Sequence, residues 1–553
     1  MQIIVYYWQN GVLYNTRGNK YTNLWLEALL SESNQDTIQC FYNLDYAVAC
    51  ICKQIGLTEA EIRKIWINPD VNNPEDRPEQ HGRVVKMLSC DDSKDYDSVI
   101  PYELNYYPKT MFTVDCGTGQ GHPFCILSDM TQYMNAKIEP NLGDGVIYSR
   151  LNVAKDIAQQ VYDALIKLNL KVKTLTSPIR AYQNTVMPSL NLPSWKDMPD
   201  GINNYWYQAC TGGWVEVYKV GHWDKLYDFD VRACYPYQMR KLPDIKQGAW
   251  EKVTTVPNHV NGCCGIFQCL FEPSTDFHPV IFKDEQGRNF TPSGEFPVFL
   301  TWNKLDFIKY WKLGEVRIID GYVWNPTTEK YRRPLLKPME DLYKLRTEAT
   351  GINKEVIKRV MVGVYGLLGQ TLKYDANIPF GPYFNPCWRA EVENNTHLRV
   401  MNFCLENKIV PISITTDGIL TDKDLNIIPS KEMGEWKLDS VTKGLVMGSG
   451  CIALQGKQKE GDFSLNYDNL VEQIKQFPSI TEITIEKEGF ISIGEAVERN
   501  LFDRLGEFEV DKRSILLNNE IKRMYPIEPK NFGELLVNQY DSIPVDVSMI
   551  GGE

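Results

Sequence analysis

Two aspartates stand in settings suited to metal chemistry. Asp230 closes the run Lys225-Leu-Tyr-Asp-Phe-Asp230 at the end of a β-like stretch, and Asp417 sits in Thr415-Thr-Asp-Gly418, between the apolar runs Ile409–Ile414 and Ile419–Leu420. A carboxylate at a strand end or hairpin tip reaches into a cleft while its backbone stays rigid. Two of them suit a hard divalent cation such as Mg²⁺, which takes few carboxylates and completes its shell with phosphate oxygens and water. Asp417-Gly418 also reads as a plain type I′ hairpin turn. A third group lies between them in sequence. Lys358 and Tyr365 are seven residues apart in the helical stretch 353–368 and so share a face, with Gly366 and Gly369 beyond. Arg346 precedes Lys358 by twelve residues, on the helical stretch 336–348. An antiparallel helix pair carrying one cation each could clamp a triphosphate, and glycine beside Tyr365 would admit a flat base or sugar. From Lys330 to Arg359 nine basic residues stand against four acidic ones, +5 in an acidic chain, which reads as an anion channel or as a solvated helical face.

These side chains need a large scaffold. The chain has 553 residues, 43% hydrophobic and 24% charged, enough for about three or four lobes. A net charge of −12 argues against a histone-like or coat-like nucleic-acid binder and leaves room for an enzyme with a local basic channel. Fourteen cysteines without a CxxC pair read as free thiols in a reducing cytoplasm. No run of eighteen apolar residues spans a membrane, and the N-terminus lacks the basic flank of a signal peptide.

The strand-like runs Gln2–Trp8, Thr37–Tyr42 and Met111–Val114 alternate with helical ones at 45–65 and 151–169, the latter with a Val153, Ile157, Val161, Leu165 stripe. Pro178, Pro188, Pro193 and Pro199 predict an extended connector over 177–201. Beyond it come strands at Trp214–Val220 and Val280–Phe282, a helix at 303–312 and a strand at Glu315–Trp324. The two basic helices follow, then a helix at 387–407 and the hairpin carrying Asp417.

In this order the residues resemble family B DNA polymerases. Asp230-Val-Arg-Ala-Cys-Tyr235-Pro236-Tyr-Gln-Met239 is similar to motif A, DxxSLYPxxM; Lys358 to Gly366 resembles motif B, KxxxNSxYG; Thr415-Thr-Asp417-Gly418 resembles motif C, YxDTDS. Thr211-Gly212-Gly213 resembles the YxGG connector of the protein-primed branch of bacteriophages and mobile elements, and 298–322 resembles the insertion where that branch grips its terminal protein. The resemblance implies a multi-domain α/β fold: an exonuclease-like (RNase H-like) N-terminal domain and a right-hand palm, fingers and thumb. The implied boundaries are 1–177 for the exonuclease-like domain and 178–201 for a linker, then 202–250 for palm with motif A and 251–330 for the insertion. Fingers follow at 331–372, palm with motif C at 373–440, and thumb with the C-terminal region at 441–553.

The resemblance also implies roles. Asp230 and Asp417 are the catalytic carboxylates, holding two Mg²⁺ ions (Mn²⁺ as a substitute) with the Val231 carbonyl. Val231, Tyr235, Arg346, Lys358 and Tyr365 surround the deoxynucleoside triphosphate, with Tyr235 excluding a 2′-hydroxyl. Gly212, Gly213 and the thumb lysine Lys457 contact DNA. Template, primer strand, deoxynucleotides and a terminal or priming protein are the implied partners, with no membrane. The implied function is addition of deoxynucleotides to a 3′-hydroxyl during replication of a viral or mobile-element genome in the host cytoplasm. A primase-polymerase that starts without a primer, and a polymerase-shaped nucleic-acid-binding protein without chemistry, are the alternatives.

The chain departs from the family at informative positions. Ala233 replaces serine in motif A, Val362 and Gly363 replace Asn-Ser in motif B, and motif C keeps only its second aspartate. In the N-terminal region the family's DxE is absent, with Glu27, Glu32 and Asp36 the only carboxylates of residues 1–40. Nxx(F/Y)D survives as Asn43-Leu-Asp45-Tyr46 followed by Ala47, and YxxxD as Tyr148 to Asn152. An exonuclease scaffold without its metal ligands is therefore expected. About fifty residues separate Tyr365 from Asp417, which leaves room, around Gly381-Pro382, for a short hairpin and hardly for the branch's second insertion.

Overall fold

The computed structural model describes residues 1–550 apart from 23–28, 30, 34–35, 66–83, 90–98, 108–110, 117–123, 131–132, 134–138, 140, 173, 176, 200, 258–263, 329, 372–379 and 458–464. Its N-terminal part is built on β1 (Gln2–Gln9), whose run Ile-Ile-Val-Tyr-Tyr-Trp is apolar at every position and therefore buried on both faces. Ile3, Val5 and Tyr7 join one core, while Ile4, Tyr6 and Trp8 join another. β2 (Val12–Asn15), β3 (Lys20–Tyr21), β4 (Thr37–Phe41), β5 (Val84–Ser89), β6 (Val99–Tyr107), β7 (Met111–Cys116) and β8 (Phe124–Asp129) complete an eight-stranded sheet in the order β3-β2-β1-β4-β8-β7-β6-β5. β1, β4 and β8 run parallel.

One face is covered by α1 (Leu44–Gln54) and α2 (Glu59–Ile65), which divide the single helix expected over 45–65. Gly56, at φ +62°, stops the first of them. The other face is covered by α3 (Asp144–Lys167), which starts about two turns before the expected 151. Its buried stripe is Ile147, Leu151, Ala154, Ala158, Val161 and Leu165, and Val153 is 57% exposed. The period was legible, but the small alanines that let the helix lie close to the sheet carry the stripe one residue aside.

The connector is not extended. Pro178 opens α4 (Pro178–Thr185) and Pro188 lies in the first turn of α5 (Met187–Leu190), where a missing N–H costs nothing. α6 (Ile202–Gln208) then leads to β9 (Val215–Val217) and the long β10 (Lys219–Val231), followed by the short helix α7 (Cys234–Met239). An insertion of β11 (Gly248–Val253), β12 (Cys264–Pro273), the small pair β13 (Phe282–Lys283) and β14 (Asn289–Phe290), β15 (Phe296–Thr301), α8 (Trp302–Trp311) and β16 (Gly314–Pro326) forms its own sheet, β11-β16-β12-β15. The two basic helices are α9 (Leu336–Glu348) and α10 (Gly351–Leu368), packed on each other. An isolated bridge between Thr371 and Phe380 precedes α11 (Pro386–Glu406); the expected hairpin between them falls on 372–379, outside the described residues.

β17 (Ser413–Thr415), β18 (Gly418–Thr421), β19 (Trp436–Gly448) and β20 (Cys451–Leu454) complete the central sheet, β20-β19-β10-β18-β17-β9. The C-terminal part holds α12 (Tyr467–Gln476) and the two-stranded ribbon β21 (Glu482–Phe490) and β22 (Phe508–Leu516), whose connection carries α13 (Ile493–Arg499). β23 (Arg523–Met524), α14 (Phe532–Leu535) and β24 (Gln539–Asp541) follow, the last pairing with β10.

The ribbon tip does not stand apart. Ile491, Ile493, Ala496 and Leu505 are buried in the same core as Tyr46, Ala47 and Ile51 of α1. Phe490 meets the Tyr46 ring edge-on at 5.2 Å, and Lys53 pairs with Glu507 at 3.1 Å. The expected thumb region therefore shares a core with the N-terminal domain. Ile491→Ala should cost about 2–5 kcal/mol, the range for truncating a fully buried aliphatic residue. Hydrogen exchange should accelerate in α1 as well as in the ribbon; acceleration confined to the ribbon would show that the shared core does not couple them.

Candidate functional site

Asp230 and Asp417 are brought together by the central sheet. β10 and β18 run antiparallel with Asp230 opposite Gly418, and the Val231 N–H donates to the Asp417 carbonyl at 3.1 Å. Thr415 pairs with Gly418, so the turn consists of Thr416 and Asp417. Thr416 is left-handed, at φ +62°, whereas Asp417 is not, so this is not the type I′ turn that the Asp-Gly pair suggested. Ala233, three residues beyond Asp230, is also left-handed, at φ +49°. A left-handed non-glycine residue costs on the order of 1–3 kcal/mol and persists only where its surroundings hold it. Here the Thr416 N–H donates to the Trp214 carbonyl at 2.7 Å, and Gly213 lies so close that a β-carbon on it would sit 2.7 Å from Thr416 Oγ1. Gly213 thus seats the turn that presents Asp417.

Burial, with Asp230 beside it, pushes the Asp417 carboxyl up to about 7. Burial also raises Asp230, offset by Lys437. Lys437 stands across the ladder from Asp230 on β19 and donates to Asp230 Oδ2 at 2.8 Å and to Asp439 Oδ1 at 2.5 Å. Lys457 pairs with Asp228 and lies 4.0 Å from Asp439 Oδ2. The result is a chain of alternating charge, Asp230–Lys437–Asp439–Lys457–Asp228, running away from the carboxylate pair. Two half-buried carboxylates at adjacent strand ends that repel each other fit hard divalent cations. No group of three or more metal-ligating side chains occurs among the described residues, so such ions would rely on Asp230, Asp417 and oxygens brought by substrate.

Beside the carboxylates, α7 places Tyr235 flat against Tyr365 of α10, with ring centroids 4.5 Å apart and planes 4° from parallel. Tyr365 is fixed from behind by Glu393 of α11, a fully buried carboxylate that sequence reasoning missed. Glu393 accepts from the Tyr365 hydroxyl at 2.5 Å, from the Gly212 N–H at 2.8 Å and from Arg389 at 2.8 Å. The Gly212 carbonyl accepts from His397 at 2.9 Å. Gly212 and Gly213 are therefore packing and hydrogen-bonding partners of the site's frame. The opposite face of α11 buries Glu391, which accepts from Asn395 at 2.9 Å and Asn303 at 3.3 Å. An acidic residue two positions from another on a buried helix is the only signal that could have found either.

The expected triphosphate cations are less closely gathered. Arg346 has a buried Nε without a hydrogen-bond partner, and so does Arg232, which the sequence reading passed over; both lower the Tyr343 hydroxyl against the rise that burial imposes. Lys358 is exposed on α10, with Glu355 at 3.9 Å, and the structure does not bring it to the other site residues. Gly363 is explained by packing: a β-carbon there would sit 2.7 Å from Ile179 of α4. Gly366 faces open space, as a site for a flat group requires, whereas Gly369 is taken up by Arg389.

In the N-terminal domain Glu32 is buried and accepts from Tyr6, Asn15, Arg17 and Tyr21. Asn152 points to solvent and Tyr148 donates to the Gly18 carbonyl at 3.1 Å. Glu27 lies outside the described residues.

No protein-family model and no curated protein matches this sequence. Solved structures do match. Phi29 DNA polymerase complexed with primer-template DNA, a post-translocation binary complex, aligns at a TM-score of 0.60 and 12% identity, covering 94% of this chain and 100% of that one. The ternary complex of the same enzyme with primer-template DNA and incoming nucleotide aligns at 0.59 and 12% identity, over 92% and 96%. The form bound to single-stranded DNA aligns at 0.58 and 13% identity, over 92% and 96%. The fold is that of phi29 DNA polymerase, a protein-primed family B enzyme, as the three motifs implied.

Burial pushes Glu391 up to about 7 from an unfolded value near 4.5. The unfolded state releases this proton first, so the group's contribution to stability is full below pH 4.5, declines as pH rises to 7, and is absent above. Glu391→Gln should remove that decline, so the variant's stability relative to the parent should climb between pH 4.5 and 7 in urea unfolding. A flat difference across that window would contradict it.

Proposed function

We propose that this protein is a template-directed DNA polymerase that adds deoxynucleotides to a primer 3′-hydroxyl. The observation that carries the reading is the convergence of Asp230 and Asp417 at adjacent strand ends, beside the Tyr235–Tyr365 stack. Its support is the fold shared with an enzyme seen bound to primer-template DNA. Bound Mg²⁺ would supply Lewis acidity at the attacking hydroxyl and neutralise the departing pyrophosphate. The chain's own residues do the rest. Asp230 and Asp417 would hold the cations, with the Val231 carbonyl next to Asp230 in the chain as a further oxygen ligand. Arg346 and Arg232 would supply positive charge for the triphosphate. Lys358, exposed on α10, would be a further cation for the same anion. Tyr235, stacked flat on the Tyr365 ring, would form the floor under the sugar and exclude a 2′-hydroxyl.

The N-terminal domain on this reading is a retained scaffold without proofreading, and the insertion of β11–β16 is the docking region for a terminal or priming protein in replication of a viral or mobile-element genome. No described helix is long and apolar enough to cross a membrane.

Asp417→Ala should lower primer extension roughly a thousandfold or more, since the ions it helps hold contribute several kcal/mol to the transition state. Undiminished extension would remove the metal assignment, and running the parent with and without primer separates a polymerase from a self-priming enzyme. Tyr235→Ala should raise ribonucleotide incorporation relative to deoxyribonucleotide; an unchanged ratio would rule the ring out as the sugar gate. The purified parent should leave a mismatched 3′ end intact in Mg²⁺ or Mn²⁺, and trimming that survives Asp417→Ala would restore the exonuclease.

A further inference from the structure

The polymerase reading uses Asp230 as a metal ligand, yet in the free protein Asp230 already has a cation. Lys437 Nζ lies 2.8 Å from Asp230 Oδ2, and both side chains are less than one-third exposed. An ammonium at that distance and a divalent ion on the same carboxylate repel each other, and a partly buried pair is screened less than an exposed one. A metal bound at Asp230 therefore requires Lys437 to withdraw. The structure supplies its destination. Asp439, the bulged residue of β19 two positions on, already accepts from Lys437 at 2.5 Å. Lys457 in turn bridges Asp439 and Asp228, so the charge chain beyond can absorb a displaced ammonium.

The second partner for Lys437 is DNA. On the polymerase reading, on which this step rests, a primer 3′-hydroxyl at Asp230 places the last phosphodiester one nucleotide back, within reach of a lysine rooted opposite Asp230 on the neighbouring strand.

We propose that Lys437 is a positioning residue that couples metal binding to primer occupancy. In the free protein it neutralises Asp230 and keeps metal off. When a primer arrives, its terminal phosphodiester and Asp439 take the ammonium, and Asp230 is released to the cation. The protein would then assemble its metal site only on a primer terminus, which disfavours idle metal binding and pyrophosphate chemistry without DNA.

The test measures Mn²⁺ binding directly by electron paramagnetic resonance, on the full-length protein alone and on its complex with a dideoxy-terminated primer-template, without nucleotide. The parent should bind Mn²⁺ on the order of tenfold more tightly with the primer-template than without it. Lys437→Gln should bind about as tightly without DNA as the parent does with it, and should gain little more when the primer-template is added. Lys437→Arg, which keeps the charge, should restore the coupling, and thermal unfolding confirms that both variants fold. Equal Mn²⁺ affinity for Lys437→Gln and the parent in both states overturns the proposal. Weaker binding by Lys437→Gln also overturns it, by showing that the lysine orients Asp230 for the metal. The arm without DNA reads the competition alone, so it stands even if primer extension by the parent fails and the polymerase reading falls.

Discussion

A carboxylate at 0% exposure holds the site together. Glu393 is reached by two segments far from it in sequence, Tyr365 on α10 and Gly212 in the connector before β9, and by Arg389 one turn back on its own helix. An ion removed from water costs several kcal/mol unless its lone pairs are filled, and removing a partner from such a cluster typically costs about 3–5 kcal/mol. Each donor is thus held in place by the cost of leaving Glu393 short. The consequence reaches the chemistry in two directions. Tyr365, pinned by its hydroxyl, offers a flat face to Tyr235, so the position of motif A's tyrosine depends on α11. Gly212, pinned by its N–H, fixes Gly213 against Thr416 and hence the turn that lifts Asp417.

The second constraint is repulsion. Asp230 and Asp417 are kept together by a ladder whose register admits no slip, since a one-residue shift would turn the buried Phe229 and Ile419 to the opposite face. The strain at Ala233 and Thr416 belongs to this arrangement. Both residues sit where the chain must turn sharply for a carboxylate to project, and neither is a glycine that would relax the turn. Stability has been spent on presenting two like charges to one cleft, which is a poor arrangement for a folded protein and a good one for a cation.

What could be read from the sequence follows from this. The helices over 336–348 and 353–368 and the hairpin at Asp417 were legible because periodicity and turn residues are local signals. The connector was misread because proline is equally at home in an extended chain and in the first helical turn, and only packing against α10, visible in the close approach of Ile179 to Gly363, selects the second. Glu393, Arg232 and Lys437 were missed for one reason. Each matters through a partner 28 or more residues away, such as Tyr365 for Glu393 or Asp230 for Lys437, and nothing in the local pattern marks a charged residue as facing inward. Lys358 shows the converse: its type and spacing fit the motif, but spacing fixes a helix face and not how far that helix stands from the carboxylates.

The N-terminal sheet is bound into the rest of the molecule on both sides. Both faces of β1 are structurally committed. The core that receives Ile3, Val5 and Tyr7 runs on through α3 into Val356, Val360 and Val364 of α10 and Trp388 of α11. The core that receives Ile4, Tyr6 and Trp8 runs on through α1 into Ile491, Ile493 and Leu505 at the tip of the C-terminal ribbon. That ribbon returns to the central sheet through a third core, in which Ile483 and Ile515 pack with Leu226 of β10 and Leu445 of β19. Three shared cores thus join the N-terminal sheet to the basic helices, the ribbon to the N-terminal sheet, and the central sheet to the ribbon. Losing the domain would strip apolar cover from α10, which carries Tyr365, and from the ribbon tip. The carboxylate site therefore depends on this sheet, which covers the helix that carries Tyr365.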